Sequence, residues 1–142
     1  MTGISLTKAK RIISTTFAKA RELDLKPLGV LVVDAGGHPV AFERQDGASA
    51  GRYAIADGKA HAAIMTGLPS SALMARAEQQ PHSATAFSGA LGGRFVSLAG
   101  GILVRDKRGN LLGAVGVTGD TSENDAIAGT AGVEAAGYIA EA

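Results

Sequence analysis

The sequence contains no cysteine and no tryptophan, and phenylalanine and tyrosine together make up only 4% of its 142 residues. The absence of cysteine excludes disulfide bonds, thiolate nucleophiles and metal sites built from thiolates, and it leaves the redox compartment undetermined. Because aromatic side chains are scarce, the core must be built from alanine, valine, leucine and isoleucine. The 20 glycines indicate that backbones approach one another closely in that core.

The sequence also has no excess of charge of either sign, because it contains 14 basic and 13 acidic residues. This balance, without a basic block or a row of basic and aromatic residues, argues against nucleic acid or an anionic membrane as partner. No apolar run approaches the ~20 residues that span a bilayer. The N-terminal "MTGISLTKAK" has no apolar signal segment. We therefore expect one cytoplasmic domain over residues 1–142.

Helical periodicity is clearest near the two ends of the chain. In "SLTKAKRIISTTFAKARELDL" the apolar residues recur at spacings of three and four, Ser5 is a plausible N-cap, and Pro27 follows the helix. The closing segment "TGDTSENDAIAGTAGVEAAGYIAEA" is predicted to be a helix capped by Thr121 or Ser122. Its glycines each cost about 1 kcal/mol relative to alanine. We therefore expect that helix to pack tightly on a sheet or on another subunit.

Two hairpins and a further strand are predicted between these helices. The hairpins are "LGVLVVDAGGHPVAFER" and "ILVRDKRGNLLGAVGV", in which Asp34 and Asp106 begin the turns and Gly37 and Gly109 supply positive φ. "RFVSL" (94–98) is the further strand. Helices are predicted over 52–65 and 68–81, and residues 82–93 are predicted to form a loop. This order predicts an α+β fold with an antiparallel sheet of about five strands flanked by helices.

The sharpest candidate site lies in "RYAIADGKAHAA", where Tyr53, Asp57 and His61 recur every four residues and share one helical stripe. Asp57 at this spacing orients the imidazole of His61, which suits a general base or a haem-iron ligand. An exposed helix with an ordinary i,i+4 pair has the same pattern. Both interpretations stay open on spacing alone.

Other candidates surround this stripe. Arg52 and Lys59 are seven residues apart and share a neighbouring face, so they could hold a carboxylate, although solvated surface charge is the commoner explanation. His82 lies in the predicted loop and is a second candidate ligand. The chain has no GxSxG elbow, and its glycine pairs match neither the Walker A nor the dinucleotide pattern.

Four segments together resemble the GlcG/HbpS family, the haem-degrading domain family that is related to the C-terminal domain of PduO-type proteins. They are "VVDAGGHPVAFERQDGA", "DGKAHAA", "AGGILVRDKRGNLLGAVGVTG" and "ENDAIA", and they occur in the family's order over nearly the whole chain. In one departure, many members carry a threonine, implicated in haem contact, at the position of Ala62, while this chain has an imidazole one residue earlier.

The resemblance implies a profilin-like fold and a homo-oligomer, from a dimer to an octamer. It also implies a link to haem or to the catabolism of small acids. We expect a small anionic ligand or tetrapyrrole in a pocket between residues 52–63, residues 82–93 and Gly100-Gly101, with haem as the candidate cofactor and otherwise no cofactor. His61 would be the metal ligand or base, Asp57 its orienting partner, and Arg52 and Lys59 the carboxylate partners.

Two alternatives are a cofactor-free isomerase, tautomerase or lyase acting on a small oxo- or hydroxy-acid, and an accessory subunit of a metabolic enzyme. In the first, His61 would move a proton while Arg52 or Lys59 stabilises an enolate. In the second, a partner would supply the chemistry.

Overall fold

The computed structural model describes residues 3–142 and contains five helices and five strands within that range. The helices are α1 (Leu6–Glu22), α2 (Arg52–Thr66), α3 (Ser70–Gln79), α4 (Pro81–Ala90) and α5 (Ser122–Ala135). The strands are β1 (Gly29–Asp34), β2 (Pro39–Arg44), β3 (Gly101–Arg105), β4 (Leu111–Thr118) and β5 (Ile139–Glu141).

The strands form one antiparallel sheet in the order β2-β1-β4-β3-β5. Successive side chains of the central strands point to opposite faces. Val30 and Val32 therefore pack in one hydrophobic cluster, and Leu31 and Val33 in another. Helices cover both faces, so the predicted α+β fold with a five-stranded antiparallel sheet is confirmed.

Helices α1 and α5 cover the first face of the sheet. Ser5 caps α1 as predicted, because its side chain accepts a hydrogen bond from the backbone N–H of Lys8 at 3.2 Å. Thr121 caps α5 in the same way, through the backbone N–H of Asn124. The glycines of α5 fit against their neighbours: a Cβ on Gly129 would collide with side chains of β3 and β4, and one on Gly132 would meet the backbone of α1. The predicted tight packing of this helix is confirmed.

Helix α2 covers the second face, α3 packs against α2, and α4 packs against α3. A Cβ on Gly116 of β4 would collide with the backbone carbonyl of Ala56, which explains the glycine within a central strand. The buried alanines of α2 allow the same close approach: Ala56, Ala60, Ala62 and Ala63 are all fully buried. The helix that carries the candidate site therefore lies almost directly on the sheet.

Both hairpin turns form as predicted. Asp34 accepts hydrogen bonds from the backbone N–H groups of Gly36 and His38, and Asp106 accepts from those of Arg108 and Asn110. The glycines at 37 and 109 have φ of 82° and 85°. Local turn chemistry thus accounts for both connections.

Three predicted elements are wrong. Residues 82–93 are mostly helix α4, in which Ala84, Phe87 and Leu91 recur at helical spacing and pack near Phe95. Residues 94–98 form no strand and cross α2 as an extended segment. The closing helix ends at Ala135 and does not include the last residues of its predicted segment. Gly137, with φ of 88°, follows the end of α5, and the chain then pairs with β3 as the fifth strand, β5.

None of the helices between residues 3 and 142 combines the length and the apolar character that crossing a bilayer requires.

Candidate functional site

The stripe of Asp57 and His61 forms as predicted on one side of α2, and a single residue, Arg94, contacts both of its members. The guanidinium of Arg94 donates to both carboxylate oxygens of Asp57, from Nε and Nη2, each at 2.9 Å. The backbone carbonyl of Arg94 lies 2.8 Å from Nδ1 of His61. The hydrogen bond to Asp57 raises the pKa of Arg94 above its ordinary value, so the guanidinium stays charged.

The contact with Arg94 determines the tautomer of the neutral His61 imidazole. A carbonyl oxygen only accepts, so Nδ1 must carry the proton and donate it. Nε2 then holds a lone pair, and the residues that the structure describes offer it no hydrogen bond. The side chain is 8% exposed, and it is lined by the β1–β2 turn, where a Cβ on Gly37 would lie 3.5 Å from Cδ2.

The structure corrects the predicted role of Asp57. Its carboxylate is occupied by Arg94 and, within residues 3–142, makes no hydrogen bond to His61. Asp57 and His61 are therefore connected only through Arg94, from guanidinium to backbone carbonyl.

Lys59 is also placed differently from the prediction, because it is 2% exposed rather than solvated. Its ammonium donates to the backbone carbonyl of Val117 at 2.8 Å and to Asp125 of α5 at 3.2 Å. Burial lowers the pKa of Lys59 and raises that of Asp125, and their mutual attraction opposes both shifts. Lys59 ties α2 to the sheet and to α5, and it cannot contact a ligand at the surface.

Arg52 likewise turns toward β4, where its Nη1 donates to the hydroxyl of Thr118 at 2.8 Å. Its Nε is buried and has no hydrogen-bond partner in the part of the chain that is described. Nine residues at about 100° each place Arg52 roughly 180° around the helix from His61. The predicted grip of Arg52 and Lys59 on a ligand of His61 is therefore not formed.

Gly100 and Gly101 do not line a pocket as predicted. Gly100 and Gly101 are packed against Lys59: a Cβ on Gly100 would lie 2.9 Å from its Nζ, and one on Gly101 would meet its backbone carbonyl. The Gly101 N–H donates to the Ser70 hydroxyl at 2.6 Å. These glycines allow helix and strand to approach each other and leave no space for a ligand between Gly100-Gly101 and Lys59.

The remaining predicted residues lie apart from the stripe. His82 is exposed in the first turn of α4, so it belongs to a helix and not to a loop that moves. Ala62 is fully buried in a cluster with Leu73 and Phe95, so its side chain faces the interior. Within residues 3–142, no three histidine or acidic side chains are grouped closely enough to hold a metal ion.

Sequence reasoning missed Arg94 and Asp125. Arg94 lies in the segment predicted as a strand, and Asp125 lies in the predicted closing helix, where no partner was assigned to it. The sequence contains one signal for Asp125. Lys59 lies in the run "GKAHAA", whose small residues indicate burial, and a buried ammonium requires a carboxylate partner. That the partner is 66 residues away is visible only in the fold.

Comparisons with known proteins agree with this architecture. A double mutant of Streptomyces reticuli HbpS is 28% identical, with a TM-score of 0.79 over 94% of this chain and 87% of that one. Klebsiella pneumoniae protein ORFY is 25% identical, with a TM-score of 0.84 over 94% and 90% of the two chains. A PduOC:heme complex is 23% identical, with a TM-score of 0.84 over 96% of each chain, and shows the shared fold.

Among curated proteins no sequence matches this chain significantly. The model of one protein family, described as haem degrading protein HbpS-like, matches residues 4–134. This match covers both hairpins, α2 with its stripe, Arg94 and nearly all of α5, so the chain belongs to the HbpS-like family.

Proposed function

We propose that this protein binds haem or a related tetrapyrrole, with Nε2 of His61 as the ligand of the iron. The family model carries the description of haem degradation, and the fold is shared with a protein solved in complex with heme. The observation within this chain that carries the proposal is the hydrogen bond from His61 Nδ1 to the Arg94 carbonyl.

The residues present fit a haem iron at the level of donor chemistry. Iron in haem proteins is commonly held by a neutral histidine. A ligating histidine usually donates its other N–H to a carboxylate or a backbone carbonyl, which fixes the ring and raises its basicity. His61 has this arrangement before any ligand is bound, because Nδ1 donates to Arg94 and Nε2 keeps its lone pair.

Arg94 is the proposed partner for a carboxylate of the ligand, in place of Arg52 and Lys59. Its side chain is 49% exposed. Asp57 uses Nε and Nη2, while Nη1 makes no hydrogen bond within the described residues. Met65, 45% exposed and one turn from His61, supplies apolar surface at the same end of α2. A bound haem would supply an iron centre with redox chemistry, and this chain would supply the ligand and a carboxylate anchor.

The alternatives have less support from the geometry. The enzyme alternative loses the two cations assigned to it, because Lys59 is buried on the other side of α2 and Arg52 turns toward Thr118. Its enolate would have to be stabilised by Arg94 instead. Assembly into a homo-oligomer of two to eight chains, the role of an accessory subunit and a cytoplasmic location remain predictions.

The proposal predicts that His61→Ala lowers the affinity for haemin at least about tenfold, equivalent to 1.4 kcal/mol. Haemin would be titrated into the wild type, His61→Ala and His82→Ala, with the Soret absorbance as readout. His82→Ala is the matched control because His82 is exposed on another helix. We expect saturation at one haemin per chain in the wild type and the control, and partial rescue of His61→Ala by added imidazole. A wild type without saturable binding, or His61→Ala with unchanged affinity, would contradict the proposal.

A further inference from the structure

The segment after α4 is joined to α2 at two consecutive turns of that helix. Arg94 binds Asp57 through its side chain and His61 through its carbonyl, and the Val96 N–H donates to the Gly58 carbonyl at 3.1 Å. Gly58 is required for this approach, since a Cβ there would collide with the Val96 side chain. The backbone of 94–96 therefore lies directly against α2.

We propose that Arg94 is a positioning residue which selects the Nδ1–H tautomer of His61, and that Asp57 acts on His61 only through Arg94. The bidentate pairing with Asp57 fixes the plane of the guanidinium. The carbonyl that accepts from His61 belongs to the same residue, so the pairing with Asp57 adds to the Val96–Gly58 hydrogen bond in holding this acceptor in place. The role of this tautomer in ligand binding rests on the proposed function. The contacts that select it, those of Arg94 with His61 and Asp57, lie within the chain.

The consequence for ligand binding concerns Nε2. While Nδ1 carries the proton, Nε2 presents its lone pair; in the other neutral tautomer Nε2 carries the proton and cannot bind a metal. Releasing Arg94 therefore converts part of the population into a form that cannot act as a ligand. The arginine side of the Asp57–Arg94 pair is 49% exposed and the aspartate side 13%, so Asp57→Ala also removes some stability, and the variants below separate this loss from the effect on the tautomer.

The chain is well suited to a direct test, because it contains only three histidines, two of them exposed. The tautomer of each would be read from long-range ¹H–¹⁵N spectra of labelled protein without haem, at about pH 8.5, two units above the ordinary imidazole pKa. We expect wild-type His61 to be mainly the Nδ1–H form, in contrast to His38 and His82. In Asp57→Ala we expect the ratio of Nδ1–H to Nε2–H to fall about fivefold, which corresponds to one net hydrogen bond.

Two further variants separate this role from a general loss of structure. Asp57→Glu keeps a carboxylate and is expected to restore part of the ratio. Glu141→Gln breaks another arginine–carboxylate pair at the surface, with Arg105 at 2.8 Å, and is expected to leave His61 unchanged. An unchanged His61 ratio in Asp57→Ala, or a wild-type His61 that is mainly Nε2–H, would overturn the inference.

The haemin titration distinguishes failure of this inference from failure of the proposed function. If the wild type does not bind haemin but the tautomer ratio responds to Asp57→Ala, the positioning role stands and haem binding is refuted. If haemin binds through His61 and the ratio does not respond, the positioning role is refuted alone.

Discussion

Replacing Asp125 by asparagine is expected to lower the free energy of unfolding by about 3–5 kcal/mol, because it leaves the buried ammonium of Lys59 without a counter-charge. Both side chains of this pair are 2% exposed. The carboxylate also accepts a hydrogen bond from the Asp120 N–H at 2.9 Å. An asparagine has one acceptor oxygen for these two donors. Urea unfolding of the wild type and Asp125→Asn would measure the loss.

The matched control is Glu141→Gln, which breaks the partly exposed pair with Arg105 and is expected to cost less than about 1 kcal/mol. Lys59→Met and the double variant Lys59→Met/Asp125→Asn complete a thermodynamic cycle. The double variant is expected to lose less stability than the sum of the two single variants, since no unpaired buried charge remains. Additive losses, or a loss in Asp125→Asn no larger than in the control, would show that the pair does not hold α2 to α5.

The same pair predicts how stability depends on pH. Burial, reinforced by the nearby positive Arg52, lowers the pKa of Lys59 below its ordinary value. Between the lowered and the ordinary value, the unfolded chain binds more protons than the folded chain, so stability from this group rises with pH. Removing the carboxylate of Asp125 lowers the pKa further. The rise is therefore expected to begin at a lower pH in Asp125→Asn than in the wild type, as urea unfolding between about pH 7 and pH 10 would show.

Gly132→Ala in α5 is expected to destabilise the protein by about 1–3 kcal/mol, the usual cost of overpacking, although alanine is the better helix former by about 1 kcal/mol. The added Cβ would collide with the carbonyl oxygen of Ile12 and the hydroxyl of Thr16. These two atoms are hydrogen-bonded to each other at 2.7 Å within α1. Because one of them is backbone, the collision is relieved only if the two helices separate.

Gly89→Ala is the control for this variant, since it makes the same change in α4 at a position where a Cβ would meet nothing within 4 Å. It is expected to raise stability by up to about 1 kcal/mol. Thermal or urea unfolding of both variants compares the cost of overpacking at position 132 with the gain in helix propensity at position 89. Equal signs for the two changes would mean that α1 and α5 do not pack as closely as the structure shows.

The sequence alone determined the features that depend on residues three or four apart. Ser5 caps α1 because its hydroxyl reaches the N–H three residues on, and Asp34 and Asp106 form their turns with N–H groups two and four residues on. The stripe with Asp57 and His61 follows from the helical repeat. The family resemblance added the sheet and its flanking helices, and the match over residues 4–134 confirmed it.

Only the tertiary structure decided which distant groups meet. The sequence suggests that Lys59 is a surface charge, but in the structure it is buried and paired with Asp125 of α5. The sequence also suggests that Asp57 is the partner of His61, but its carboxylate is paired with Arg94. Residues 94–98 have strand-forming side chains, but the place beside β3 is taken by β5. Helical spacing fixes which side chains share a face. It does not fix which chain segment covers that face, because that choice depends on packing and hydrogen bonding over the whole sheet.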